Sequence, residues 1–228
     1  MNMTDAERQS EVSRDTQRAR KRCVIVGTRS MSKRARHFLS DLHCLIPCST
    51  LSKKLSTDKS LTEAMKWTTE AQGGGSSMML HTTDGGTLMW VTGGSSGPSA
   101  SFVLKSLTTA SELNTVRDDI GHSNNVLHFD KEFTEVPHLR VIKALLTGIF
   151  GPQKRSAFKR SVDHVCSFFY YDGNVWLRNY TVNVEGDDVE LVEFGPRCAL
   201  CPLAIIDGSF EGSCVWYNDQ YRTDKDAH

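Results

Sequence analysis

Arg29, Lys33, Arg34, Arg36 and His37 crowd one short stretch of this sequence. Ser32 is a good N-cap, so the cluster falls on the start of a helix, where the macrodipole and free backbone N–H groups disfavour cations. An anion bound there reverses the penalty, because the N–H groups and the basic side chains converge on one phosphate. A solvated basic face accounts for the same residues equally well on chemistry alone. A second patch, Lys154, Arg155, Lys159 and Arg160, lies between a helix and a hairpin and suits the backbone of the same polyanion. Lys53, Lys54 and Lys59 form a third and weaker patch.

Other chemistry fares less well. Gly93-Gly94-Ser95-Ser96-Gly97 matches the G-x-S-x-G of hydrolase elbows, but Pro98 and a strand-like run follow where that elbow needs a helix. The sequence contains neither a phosphate-cradling G-x-x-x-x-G-K-[ST] loop nor a G-x-G-x-x-G fingerprint. Cys198-x-x-Cys201 lacks a second matched pair, although Cys44 and Cys48 offer one candidate, and it is read as small buried residues. Asp187-Asp188 with Glu190 and Glu193 has no organised ligand loop and reads as a solvated acidic turn. No cofactor, metal or small-molecule substrate is expected. Phe168, Phe169, Tyr170, Tyr171, Trp176 and Tyr180 are candidates for base stacking, with strand alternation sending about half into the core.

The elements that carry these residues follow from periodicity. The polar stretch 1–20 reads as a flexible tail and 218–228 as a short one. Cys23–Val26 reads as a buried strand, and Ala35, Phe38, Leu39, Leu42, Leu45 and Ile46 recur at helical spacing over 33–46 until Pro47. Met78–His81 and Thr87–Val91 form a hairpin, followed by a strand at Ser101–Leu107. The order then repeats. Val126–Phe129 is a strand, and a helix starts at Pro137 and stops at Gly151-Pro152. Val162–Tyr171 and Val175–Val184 flank the hairpin signal Asp172-Gly173-Asn174, and Val189–Phe194 is a further run. Gly97-Pro98 and Gly195-Pro196 occupy matching places, which suggests two similar halves of about a hundred residues. The expected fold class is α/β (α+β), with two pseudo-symmetric half-domains, each strand, helix, then strands, over about 21–120 and 121–217.

Formal net charge is zero, but it hides a gradient: residues 1–70 carry 14 Lys+Arg against 8 Asp+Glu, and residues 185–228 carry 3 against 10. Such asymmetry suits a basic face for a polyanion and an acidic region turned to solvent or to another protein. No stretch approaches the ~18 consecutive apolar residues of a membrane span. The seven cysteines, odd in number and irregularly spaced, suit a reducing compartment. The expectation is an intracellular protein with no membrane partner.

The run Gly27-Thr28-Arg29-Ser30-Met31-Ser32-Lys33-Arg34-Ala35-Arg36-His37-Phe38-Leu39 resembles the opening signature of the Brix family. Met89-Trp90 and Gly97-Pro98-Ser99-Ala100-Ser101-Phe102 are similar to its first half. Pro137-His138, Val162-Asp163-His164-Val165, Val175-Trp176-Leu177-Arg178-Asn179-Tyr180, Glu193-Phe194-Gly195-Pro196-Arg197 and Gly208-Ser209-Phe210 are similar to its second. The resemblance spans about residues 21–217. It implies an anticodon-binding-like domain, nuclear and nucleolar location, and a non-enzymatic factor that binds precursor ribosomal RNA as the large (60S) subunit matures. It also implies docking to helical segments of other assembly factors. Arg178 and Arg197 join Arg29, Ser32, Lys33, Arg34, Arg36, His37, Lys53, Lys54, Lys154, Arg155, Lys159 and Arg160 as expected RNA-contacting residues. The competing expectation is a protein scaffold whose basic face meets an acidic partner.

Overall fold

The computed structural model describes residues 23–28, 31–47, 49–52, 75–113, 124–151, 162–186 and 188–221. Strand β1 is the apolar run Val24–Gly27, followed by helix α1 (Lys33–Leu45) and strand β2 (Thr50–Ser52). Next come β3 (Ser77–Thr83), β4 (Gly86–Thr92), β5 (Ser99–Thr108) and a 3-10 turn at Ala110–Leu113. After β6 (Asn124–Phe129) come a one-turn helix α2 (Glu132–Glu135) and α3 (Pro137–Phe150). Then follow β7 (Val162–Tyr171), β8 (Asn174–Glu185), β9 (Asp188–Glu193), β10 (Arg197–Ile206), β11 (Cys214–Tyr217) and a 3-10 turn at Asp219–Tyr221. Among the described residues no helix is long and apolar enough to cross a membrane.

All the strands belong to one mixed sheet, ordered β2-β1-β3-β4-β5-β10-β8-β7-β6, with β11 on β10 and β9 on β8. One pairing scheme occurs twice. β1 runs parallel to β3, which forms a hairpin with β4, and β4 pairs antiparallel with β5. Likewise β6 runs parallel to β7, β7 forms a hairpin with β8, and β8 pairs antiparallel with β10. The two runs meet where β5 and β10 pair antiparallel from Ser99↔Ile206 to Arg197↔Thr108. Each of these two strands opens directly after one of the two Gly-Pro dipeptides singled out in the sequence.

Alternation decides which face each strand buries. Ile25, Met78, Leu80, Met89, Val91, Ala100 and Phe102 share one core with Phe168, Val175, Leu177, Cys198 and Leu200. Phe38 and Leu42 of α1 and Leu139, Ile142, Leu146 and Ile149 of α3 cover that face. A smaller cluster of Val24, Val26, Met79 and Phe210, with Trp90 against it, lies on the opposite face. Ser99 holds Phe210 there: its hydroxyl donates to the Gly208 carbonyl at 2.8 Å and accepts from the Phe210 N–H at 2.8 Å.

Two glycines are required by geometry. Asp172 and Gly173 both have positive φ (50° and 70°), as a two-residue type I′ hairpin turn demands. Gly195, at φ 73°, lies where a Cβ would come within 2.6 Å of Leu113 and 3.3 Å of the Ala110 backbone. Pro202 falls on a register shift of the β5–β10 ladder, beyond the Cys198–Leu200 stretch that pairs with β8. Its missing N–H therefore costs little, as expected for proline at a bulge. The short elements β2, α2 and β11 and both 3-10 turns lie outside the elements expected from sequence; the turn at 219–221 falls in the stretch expected to be a tail.

A chain of residues 21–120 alone leaves the ten-residue edge of β5 and its buried Phe102 without β10. It is expected to lack a cooperative thermal transition, whereas a sharp melt of the fragment contradicts the shared core. In the whole chain Phe102→Ala should cost about 3–5 kcal/mol, read as a fall in the denaturant midpoint at unchanged slope.

Candidate nucleic-acid interface

The basic cluster forms at the start of α1 for a local reason. Ser32 has extended backbone and its hydroxyl accepts from the Ala35 N–H at 3.2 Å, while Arg36 N–H bonds the Ser32 carbonyl at 3.1 Å. The hydroxyl expected among the RNA contacts thus serves as the helix cap. Ala35, Phe38, Leu39 and Leu42 face the sheet, which turns Lys33, Arg34, Arg36 and His37 outward, all exposed. The first turn holds no acidic residue.

Two of these cations have partners. Arg34 pairs with Glu112 at 2.9 Å across exposed surface. The Thr109 backbone N–H first, and Arg34 with it, hold the Glu112 carboxyl below the usual carboxylate range. Arg36 donates to the Met31 carbonyl at 3.0 Å and so braces the loop entering the helix. Beside it a cavity of about 450 Å³ is lined by Gly27, Thr28, Met31, Arg36, Leu39, Ser40, Leu51 and Ser52. The Asp41 carboxylate, buried in α1, accepts from the Ala110 N–H at 2.9 Å, so α1 and the chain after β5 are tied at two points.

Arg178 and Arg197 form a separate group, on the sheet face away from the helices. Along β8, Val175, Leu177 and Asn179 are buried, and the alternate residues Trp176, Arg178 and Tyr180 are half-buried on the other side. Arg178 and Arg197 share the Glu193 carboxylate, at 3.1 and 3.4 Å. Asn179 fixes this corner by donating to the Pro196 carbonyl at 2.7 Å and accepting from the Phe194 N–H. With Trp176, Ser106, Leu107 and Thr108 the two arginines line a second cavity of about 320 Å³. The Trp176 ring lies parallel to Phe169 at 6.3 Å, Phe168 is core, and Tyr171 is 71% exposed. Sequence alternation anticipates this split of the aromatics; Glu112 carries no signal of its own, and Glu193, expected in a solvated acidic turn, instead ends β9 paired with two arginines.

Arg29, Lys53, Lys54, Lys154, Arg155, Lys159 and Arg160 lie outside the described residues. Ser95 sits in the turn joining β4 to β5, with no helix after it. Cys198 and Cys201 are free and buried in β10. Burial pushes the Cys23 and Cys166 thiols up to about 12, which keeps them protonated and unreactive.

The start of α3 differs from that of α1. Pro137 occupies the first turn, and His138 is covered by Trp216 of β11, stacked at 4.1 Å and 11°. Burial lowers the His138 pKa from its usual 6.5. The anion-ready helix start among the described residues is therefore that of α1.

The Brix-domain sequence profile matches residues 28–203. The chain belongs to the Brix-domain family. It is 32% identical over 214 residues to ribosome biogenesis protein BRX1 of Saccharomyces cerevisiae, covering 89% of this chain and 73% of that protein. It is 31% identical to the BRX1 homologues of Drosophila melanogaster and Homo sapiens, covering 89% and 90% of this chain but 56% and 58% of those proteins. The chain thus spans little more than half the length of these two relatives. The crystal structure of a probable ribosomal biogenesis protein from Aeropyrum pernix matches with a TM-score of 0.51 at 15% identity, over 79% of this chain and 95% of that one. That match supports the mixed α/β Brix fold with its large sheet and few helices. Brix-domain ribosome biogenesis factors are non-enzymatic assembly factors.

Because the folded-state pKa of His138 is depressed, its neutral form stabilises this Brix domain above pH 6.5, and that contribution is lost as pH falls through the lower folded value. Replacing His138 with Phe should flatten the dependence of the melting temperature on pH below 6.5. An unaltered pH profile would show that the stack with Trp216 leaves the imidazole free to titrate.

Proposed function

We propose that the chain is a ribosome biogenesis factor that binds precursor ribosomal RNA during maturation of the large subunit, in the nucleolus, without bond-making chemistry. The observation that carries this reading is the start of α1, where four exposed basic residues surround a capped helix terminus with no acid in its first turn. Free N–H groups and cations converge there on one kind of ligand, a phosphate. Such contacts grip the backbone of an RNA and carry no base information. The names of the relatives support the setting.

Arg178 and Arg197, which line one cavity with Trp176, form a second contact suited to an unpaired nucleotide, the ring stacking and the guanidinium groups meeting phosphate. Glu193 offsets one of the two charges. The repeated pairing scheme supports a further proposal, that residues 21–120 and 121–217 are pseudo-symmetric half-domains of an anticodon-binding-like fold. Trp216 would then close the equivalent helix start in the second half, whose proposed RNA contact lies at Arg178 and Arg197 instead. Helical segments of other assembly factors remain the proposed protein partners.

Replacing Lys33 or Arg34 with Ala should weaken binding to unrelated RNA sequences by a similar factor. It should also reduce the slope of log affinity against log salt by roughly 0.7–0.9 per contact. Stability should change by only a few tenths of a kcal/mol, about the range for exposed sites. Arg36→Ala should add a loss of about 1 kcal/mol, from its bond to Met31. Titrations at several salt concentrations, paired with thermal melts, check this; unchanged slopes in all three variants would sink the phosphate-site assignment. Loss of preribosome co-sedimentation after nuclease digestion separates the RNA reading from a protein scaffold with an acidic partner, whose association would survive.

A further inference from the structure

β8 is longer than the strands around it, and its last residues run past the β10 pairing to form an arm with β9. Direct cross-strand partners share a face. Val182↔Leu191 and Val184↔Val189 therefore form one apolar patch, in which Val184, Val189 and Leu191 are 63%, 64% and 53% exposed. The other face carries the pairs Asn183↔Glu190 and Glu185↔Asp188, the second setting two carboxylates directly opposite each other. Among the described residues β9 pairs with β8 alone, so its outer backbone edge is open. An exposed apolar edge strand of this kind is a template for another chain.

We propose that β9 is a docking edge for an extended basic protein segment in which apolar and Lys or Arg residues alternate. Adding a strand there continues the ladder and sets the apolar residues of the segment beside Val189 and Leu191. The cations on its other side then meet Asp188 and Glu190, relieving the like-charge pair at Glu185 and Asp188. The same carboxylates repel nucleic acid, which rules out RNA as occupant. They also disfavour a second copy of β9, since antiparallel pairing of two such strands brings acid against acid. The surface is separate from the start of α1, which carries the RNA-binding reading, although β9 also bears Glu193, the partner of Arg178 and Arg197.

The probe is a fluorescent peptide of alternating valine and lysine, matched in length to β9, titrated into the full chain with anisotropy as readout. Binding is expected, together with about tenfold weaker affinity for the Val189→Thr, Leu191→Thr double variant at an unchanged melting temperature. Asp188→Lys with Glu190→Lys should lose this peptide and gain one of alternating valine and glutamate. Lys33→Ala should leave peptide affinity as it is, so the failure of either reading is visible without the other. Absence of binding overturns the proposal. So does equal affinity for a peptide with its valines and lysines in separate blocks, or for one N-methylated along one backbone edge. Binding that emerges only after residues 1–22 are removed would assign the edge to the chain's own basic segment, and self-association abolished by Leu191→Lys would assign it to a second copy; either overturns the proposal.

Discussion

The pairing of β5 with β10 makes one sheet of strands that lie about a hundred residues apart in the chain. Several other long-range contacts lie at its two ends. Ser99, at the start of β5, anchors the Gly208–Phe210 segment that closes the open face. At the other end of β5 the chain turns into Ala110–Leu113, where Asp41 and Arg34 fasten α1, and against which Gly195 packs. Such a seam carries a high loop-closure cost, recovered only by burying both sides of one core. Buried residues of both runs form that single core.

This arrangement also decides what the surface can do. Two helices cover the same sheet face, and each would present an N-terminus to an anion. Trp216, brought in by β11 pairing with β10, closes the start of α3 by stacking on His138. Nothing comparable lies over Lys33, Arg34, Arg36 and His37 among the described residues. A zero net charge is thus compatible with a polyanion partner, because among the described residues the start of α1 carries four exposed basic residues and no acid in its first turn, while Glu185, Asp188 and Glu190 stand on the β8–β9 arm.

The long elements were legible in the sequence because each carries a period. Phe38, Leu42 and their neighbours mark α1, Leu139 to Ile149 mark α3, and Asp172-Gly173 marks the β7–β8 turn. Elements of three or four residues are too short to show a period: β2 and β11 exist through pairing with a neighbouring strand, and α2 is held by Phe133 in the core. At the candidate site the cations were legible, and the division of labour among them was not. The Ser32 cap was legible because it is local, as is the Arg36 brace on Met31, but that Glu112 pairs with Arg34 and Glu193 with Arg178 depends on residues brought together by the tertiary fold. The match of Gly97-Pro98 with Gly195-Pro196 foretold the two central strands, but not that they pair with each other.

Native-state hydrogen exchange of the full chain tests the seam most directly. If β5 and β10 close one cooperative sheet, their ladder amides exchange only through global unfolding, with one common protection and one common dependence on denaturant. Exchange of β6–β8 and β10 through a lower-energy opening that leaves β1–β5 protected would contradict the account and make the two halves separate units.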